Sequence, residues 1–112
     1  MSQITSHILD TTKGKPAQGV LILLFQQINK DWNEIGRSTT NSDGRVTDLL
    51  EKNELAQPGI YKLKFETKSY YDQQSIKSFY PFVEIVFEIT NGEHYHVPLL
   101  LNPFGYSTYR GS

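Results

Sequence analysis

Ile60-Tyr61-Lys62-Leu63-Lys64-Phe65-Glu66 alternates without a break. In an extended chain Tyr61, Leu63 and Phe65 share one face and Lys62, Lys64 and Glu66 the other, the pattern of a strand with one buried and one wet face. Residues 82–89 repeat it, with Val83, Ile85, Phe87 and Ile89 together. Asn91-Gly92 is a strong turn signal after that run, and residues 94–101 read as the next strand. Pro98 inside it predicts a bulge, or a stretch with no partner on its N–H side.

Working outward, residues 4–9 make a first strand. Residues 19–28 hold a nearly continuous apolar run, Val20 to Phe25, read as a strand buried on much of both faces. After a short turn around Asn29-Lys30-Asp31, residues 32–39 follow. Asn41-Ser42-Asp43-Gly44 is a tight turn that delivers Arg45 at the start of the next element. A last strand covers residues 105–109, and one short helix is expected over 68–74 with Thr67 as its cap.

Composition agrees with a mainly β chain. Two Ala stand against nine Ile, five Val, nine Thr and fourteen aromatic residues, so strong helix formers are scarce and strand formers abundant. The expectation is a β-sandwich of seven to eight short strands with one short helix. At 112 residues, with 38% hydrophobic and 21% charged residues, the chain suits a single domain over 1–112 with a packed core. No apolar run approaches a membrane span, and the N-terminus has no basic-then-apolar signal pattern. Zero Cys excludes disulfides and thiolate chemistry. With a formal net charge of −1 and scattered Lys and Arg, the chain offers no footprint for nucleic acid. These absences point to a cytoplasmic protein with neither a nucleic-acid nor a membrane partner.

The chemistry-bearing residues are few. No Ser sits in a G-x-S-x-G elbow, and Gly14, Gly19 and Gly36 are isolated rather than a phosphate loop. Glu84 and Glu88 share the polar face of their strand, which reads as a solvated face. His94 and His96, two apart in a strand, point to one face. Such a pair can hold a metal given a third ligand such as His7, can serve as general base, or can be structural. The C-terminus carries aromatic, strand-forming residues almost to its end, so it reads as tied down. Arg110 there is either an anion-binding group or a surface charge.

These residues form a recognisable pattern. Ser6-His7-Ile8-Leu9-Asp10, Gly14-Lys15-Pro16-Ala17, Asp43-Gly44-Arg45-Val46-Thr47-Asp48-Leu49-Leu50, Gly59-Ile60-Tyr61 and Phe79-Tyr80-Pro81-Phe82-Val83 are its first blocks. His94-Tyr95-His96-Val97-Pro98-Leu99-Leu100-Leu101 and Tyr106-Ser107-Thr108-Tyr109-Arg110-Gly111-Ser112 are the most specific. Over essentially its whole length the chain resembles the transthyretin-related 5-hydroxyisourate hydrolase family. The thyroid-hormone carriers of the same fold lack the two strand histidines, the arginine after Asp-Gly and the Tyr-Arg-Gly-Ser ending. Asn102, where the family pattern has Ser, leaves the polar candidates untouched.

The resemblance implies a transthyretin-like two-sheet sandwich and a homotetramer built as a dimer of dimers, with sites in a cleft between dimers. It implies hydrolysis of 5-hydroxyisourate, a cyclic amide of urate breakdown, to 2-oxo-4-hydroxy-4-carboxy-5-ureidoimidazoline by direct water attack. His7, Arg45 and His96 map to the catalytic positions. His7, Arg45, Tyr109, Arg110, Gly111 and Ser112 map to the substrate contacts. No metal and no cofactor are expected, and His94 is assigned no role.

Overall fold

The computed structural model describes residues 2–112. In chain order the elements are β1 (Ile4–Asp10), β2 (Lys15–Pro16), β3 (Leu21–Ile28), β4 (Asp31–Thr39), β5 (Arg45–Val46), β6 (Gly59–Phe65), α1 (Thr67–Asp72), β7 (Val83–Ile89), β8 (Tyr95–Asn102) and β9 (Gly105–Thr108). Seven strands of four residues or more carry the two sheets, and β2 and β5 add two residues each. One sheet runs β2-β1-β8-β9, with β5 on the β1 edge; the other runs β4-β3-β6-β7.

Alternation decides what each strand buries. Tyr61, Leu63 and Phe65 of β6 are almost wholly buried, as are Val83 and Ile89 of β7. On β3, Ile22 and Leu24 are fully buried while Leu21, Leu23 and Phe25 are only partly covered. The apolar run therefore has one core face and one half-covered face. Lys62 accounts for part of that cover: its ammonium lies 5.1 Å from the Phe25 ring centre and 4.5 Å from that of Trp32, and it pairs with Glu84 at 3.0 Å. The Glu84 face is thus an ion-paired outer surface. From the opposite sheet, Ile4, Ile8, Val97, Leu99 and Leu101 complete the core.

Two connections refine the local reading. Asn91-Gly92 turns the chain between β7 and β8, which belong to different sheets. Asn91 holds the crossing, its Oδ1 accepting from the Glu93 N–H and the Tyr95 hydroxyl, both at 3.0 Å. The helix begins one residue earlier than expected. Glu66, not Thr67, is the cap residue, and no side chain caps the helix. Thr67 is 1% exposed, so packing claims the side chain that capping would have used. Among the described residues no helix is long and apolar enough to cross a membrane.

The sheet that matters for chemistry is held by β1 and β8, which pair in parallel from Ile4↔Tyr95 to Asp10↔Leu101. Leu99, fully buried, sits on the inner face of that pair. Leu99→Ala should lower unfolding free energy by about 2–5 kcal/mol in urea titrations. A loss under about 1 kcal/mol would mean this face is not packed as described.

Candidate active site

The outer face of the β1–β8 pair is built by the same alternation that fills the core. Ile4, Ser6 and Ile8 point inward and are fully buried, so Thr5 and His7 point outward. On β8, Tyr95 and Val97 face the core and His96 lies between them on the outer side. The register sets Thr5 opposite His96 and, across the other edge of β1, His7 opposite Arg45. Arg45 is held there by the turn the sequence announced. Asn41 Oδ1 accepts from the N–H groups of Asp43 (2.9 Å) and Arg45 (3.1 Å), and the Gly44 N–H donates to the Asn41 carbonyl at 2.9 Å. Gly44 sits at φ +70°, and a Cβ there would lie 2.6 Å from the Ile8 carbonyl oxygen, so only glycine fits the turn.

The side chains so placed form a connected row. His7 Nδ1 and His96 Nε2 are 2.7 Å apart, with ring centres at 4.8 Å. His96 Nδ1 is 2.7 Å from Thr5 Oγ1, which is also 2.7 Å from His94 Nε2. His94 precedes β8 rather than lying in it, yet its ring centre is 6.1 Å from that of His96, so the shared face expected from their spacing is kept.

The C-terminal tail closes one side. The β8–β9 ladder stops at Leu99↔Thr108, and Thr108 Oγ1 donates to the Pro98 carbonyl at 2.7 Å. Pairing resumes at His96↔Gly111, where the Gly111 N–H donates to the His96 carbonyl at 2.8 Å. Pro98, which has no N–H, falls in the gap, as its position in the strand required. A Cβ on Gly111 would lie 2.6 Å from His96 Cδ2, so glycine lets the tail rest against that ring. The result is a cavity of about 660 Å³ lined by the histidine–threonine row, by Arg45 and by Tyr109, Gly111 and Ser112. That volume is in the range of small-molecule sites.

Of the residues singled out in the sequence, the fold brings together His7, Arg45, His96, Tyr109, Gly111 and Ser112. Arg110 goes elsewhere: its guanidinium stacks 4.4 Å above the Tyr95 ring and lies 3.5 Å from Glu93, beside a neighbouring cavity. Thr5 and His94, not among the site residues read from the sequence, join the row. Their signal was present in Thr5-x-His7 and His94-x-His96, but only the β1–β8 pairing joins the two. Among the described residues no three His, Asp or Glu side chains are grouped to hold a metal.

Burial and positive charge keep the imidazoles neutral. His96 is pushed down to about 4, first by burial and then by His7, Arg45 and His94. His7 is lowered from 6.5 by burial and by Arg45. Two uncharged rings in contact beside a guanidinium can accept, pass and return a proton near neutral pH, and the guanidinium can hold an oxyanion.

A family model described as "HIUase/Transthyretin family" matches residues 4–111. The chain is 48% identical over 112 residues to a probable 5-hydroxyisourate hydrolase of Caenorhabditis elegans, covering 99% of this chain and 82% of that protein. The structure of Klebsiella pneumoniae 5-hydroxyisourate hydrolase superposes with a TM-score of 0.85 at 33% identity, over 97% of this chain and 98% of that one. Sea bream transthyretin in complex with thyroxine gives 0.91 at 30% identity, over 98% and 95%.

The lowered histidines have a consequence for stability. Unfolded histidine takes up a proton near pH 6.5, whereas folded His96 does so only near 4. Between those values the unfolded chain binds more protons, so stability present above pH 6.5 should be lost as pH falls toward 4. Denaturation at pH 7 and pH 4.5 should show a smaller loss for His96→Asn than for the parent chain. Equal losses would mean that His96 is not held neutral by the fold.

Proposed function

Because the chain belongs to the HIUase/Transthyretin family, we propose that it hydrolyses 5-hydroxyisourate to 2-oxo-4-hydroxy-4-carboxy-5-ureidoimidazoline in urate breakdown. The observation that carries this reading is the 2.7 Å contact between His7 Nδ1 and His96 Nε2, beside Arg45 and under the tail. Transthyretin bound to thyroxine shares the fold, but this cavity presents imidazoles and a guanidinium, which are costly to desolvate against an apolar ligand.

The reaction joins a water oxygen to C6, breaks the C6–N1 bond and leaves a proton on N1. Both ring nitrogens of His96 are engaged, one by Thr5 and one by His7. His7 Nε2 is then the nitrogen of the pair left to take the proton of the attacking water and return it to N1. His96 backs His7 by holding its Nδ1. Arg45 supplies a planar fork of donors for the charge that builds on the carbonyl oxygen. Tyr109, Gly111 and Ser112 shape the wall against which the flat ring lies. Water attacks directly in this scheme, with no cofactor and no covalent intermediate.

We place the site in a homotetramer, a dimer of dimers, where a second subunit covers the cavity. Large side chains left exposed support an assembly: Phe79 at 70%, Phe104 at 67% and Val86, on the unpaired edge of β7, at 57%. A reaction on a small soluble metabolite by a chain without Cys fits the cytoplasm.

The direct test is the ultraviolet decay of freshly generated 5-hydroxyisourate, which the protein should accelerate. His96→Asn should lower turnover by about 10²–10⁴-fold and Arg45→Glu by at least about 10²-fold. Deleting residues 109–112 should remove most turnover while the melting temperature stays nearly unchanged. An unaccelerated decay would refute the hydrolase reading; a truncated chain with full turnover would remove the tail from the site.

A further inference from the structure

The histidine row continues past the two rings that the proposed reaction uses. Thr5 Oγ1 lies 2.7 Å from His96 Nδ1 and 2.7 Å from His94 Nε2. Thr5 is 4% exposed, whereas His94 is exposed and borders a second cavity together with Glu54. A hydroxyl carries one proton. It can donate to only one of two neutral imidazoles and must accept from the other. The row therefore has two self-consistent directions, and Thr5 links the proton on His94 to the proton on His7.

We propose that Thr5 is a positioning residue that joins His7, His96 and His94 into one proton relay, running from the cavity to the exposed His94 ring. The proposal rests on the hydrolase reading for its use in turnover, while its geometry stands independently. In one direction His7 Nδ1–H donates to His96 Nε2, His96 Nδ1–H donates to Thr5 Oγ1, and the Thr5 hydroxyl donates to His94 Nε2. His7 Nε2 then carries a lone pair and is a base. In the other, His94 Nε2–H donates to Thr5, the Thr5 hydroxyl donates to His96 Nδ1, and His96 Nε2–H donates to His7 Nδ1. His7 Nε2 then carries a proton and is an acid.

Passage from the first arrangement to the second conserves every proton. Water gives a proton to His7 Nε2, and the Nδ1 proton of His7 moves to His96 Nε2. The Nδ1 proton of His96 moves to Thr5, and the Thr5 proton moves to His94 Nε2. His94 Nδ1 releases one proton to solvent. The reverse passage takes one proton back from solvent at His94 and delivers the proton on His7 Nε2 to the departing N1. His7 and His96 end each passage uncharged. That matters because Arg45 faces them from β5, and a cation on either ring beside it is opposed by burial and by the guanidinium. The other ionisable groups around the row are the Tyr109 phenol and the C-terminal carboxylate of Ser112, residues of the cavity wall, and Glu54 and Glu93 near His94.

The test uses Thr5→Val, which keeps the shape and removes the hydroxyl, and Thr5→Ser, which restores it. In ¹⁵N imidazole spectra of the folded parent chain, His96 should move toward the Nε2–H tautomer as His94 takes up a proton. Thr5→Ser should keep that coupling and Thr5→Val should abolish it. Toward 5-hydroxyisourate, Thr5→Val should lower kcat about tenfold or more with KM little changed, and Thr5→Ser should recover most of it. His94→Phe, at an exposed position, breaks the far end of the relay and should give the same loss should Thr5→Val fail to fold. A His96 tautomer indifferent to His94 in the parent chain overturns the relay, as does full kcat in Thr5→Val. A parent chain inactive on 5-hydroxyisourate overturns the hydrolase reading instead, and the spectra still decide the relay.

Discussion

The parallel pairing of β1 with β8 is the constraint on which the rest depends. It joins residues about ninety positions apart, from Ile4↔Tyr95 to Asp10↔Leu101. Period-two alternation then does two things at once. The inward set, Ile4, Ser6 and Ile8 with Tyr95, Val97 and Leu99, closes the core, and Ser6 Oγ donates to the Val97 carbonyl at 2.6 Å to satisfy its hydroxyl. The outward set, Thr5 and His7 with His96, forms the floor of the cavity. A slip of one residue would send His7 into the core and Ile8 into the cavity. Stability and chemistry therefore specify the same register.

What surrounds that floor sets its electrostatics. β5 adds Arg45 along the free edge of β1, and the tail pairs with His96 along the far edge of β8. Burial and repulsion from the guanidinium act in the same direction on both imidazoles and keep them uncharged. A neutral ring is what a general base needs, and a nearby permanent cation is what a developing oxyanion needs. The cation that favours the product of water attack thus also protects the base from premature protonation. Gly44 and Gly111 make this closeness possible, since a methyl group at either position would collide with backbone or ring atoms.

Much of this was legible in the sequence where the signal is local. Alternation in Tyr61, Leu63 and Phe65 and in Val83, Ile85 and Ile89 marks inner faces correctly because a period of two needs no knowledge of the partner strand. The Asn41–Gly44 turn and the presentation of Arg45 were readable for the same reason. Long-range partners were not. Asn91-Gly92 has hairpin chemistry, yet the chain crosses between sheets there, because the turn dipeptide does not encode which sheet the next strand joins. Thr67 has cap chemistry but is drawn into the core, leaving Glu66 at the cap. The participation of Thr5 and His94 depends on a pairing that no local window contains. The resemblance sets Arg110 among the substrate contacts; within one chain its guanidinium rests on the Tyr95 ring beside Glu93, contacts that no local window of sequence announces.

The central claim is that the working imidazoles are neutral and act as base beside a fixed cation. The pH dependence of kcat/KM for 5-hydroxyisourate tests it most directly, since that ratio reports the groups of the free enzyme. The account predicts a plateau through neutral pH and a fall on the acid side that begins below 6.5, because both His7 and His96 are lowered from that value. A profile that instead rises as the pH drops through 6.5, marking a protonated imidazole as the active form, would contradict it.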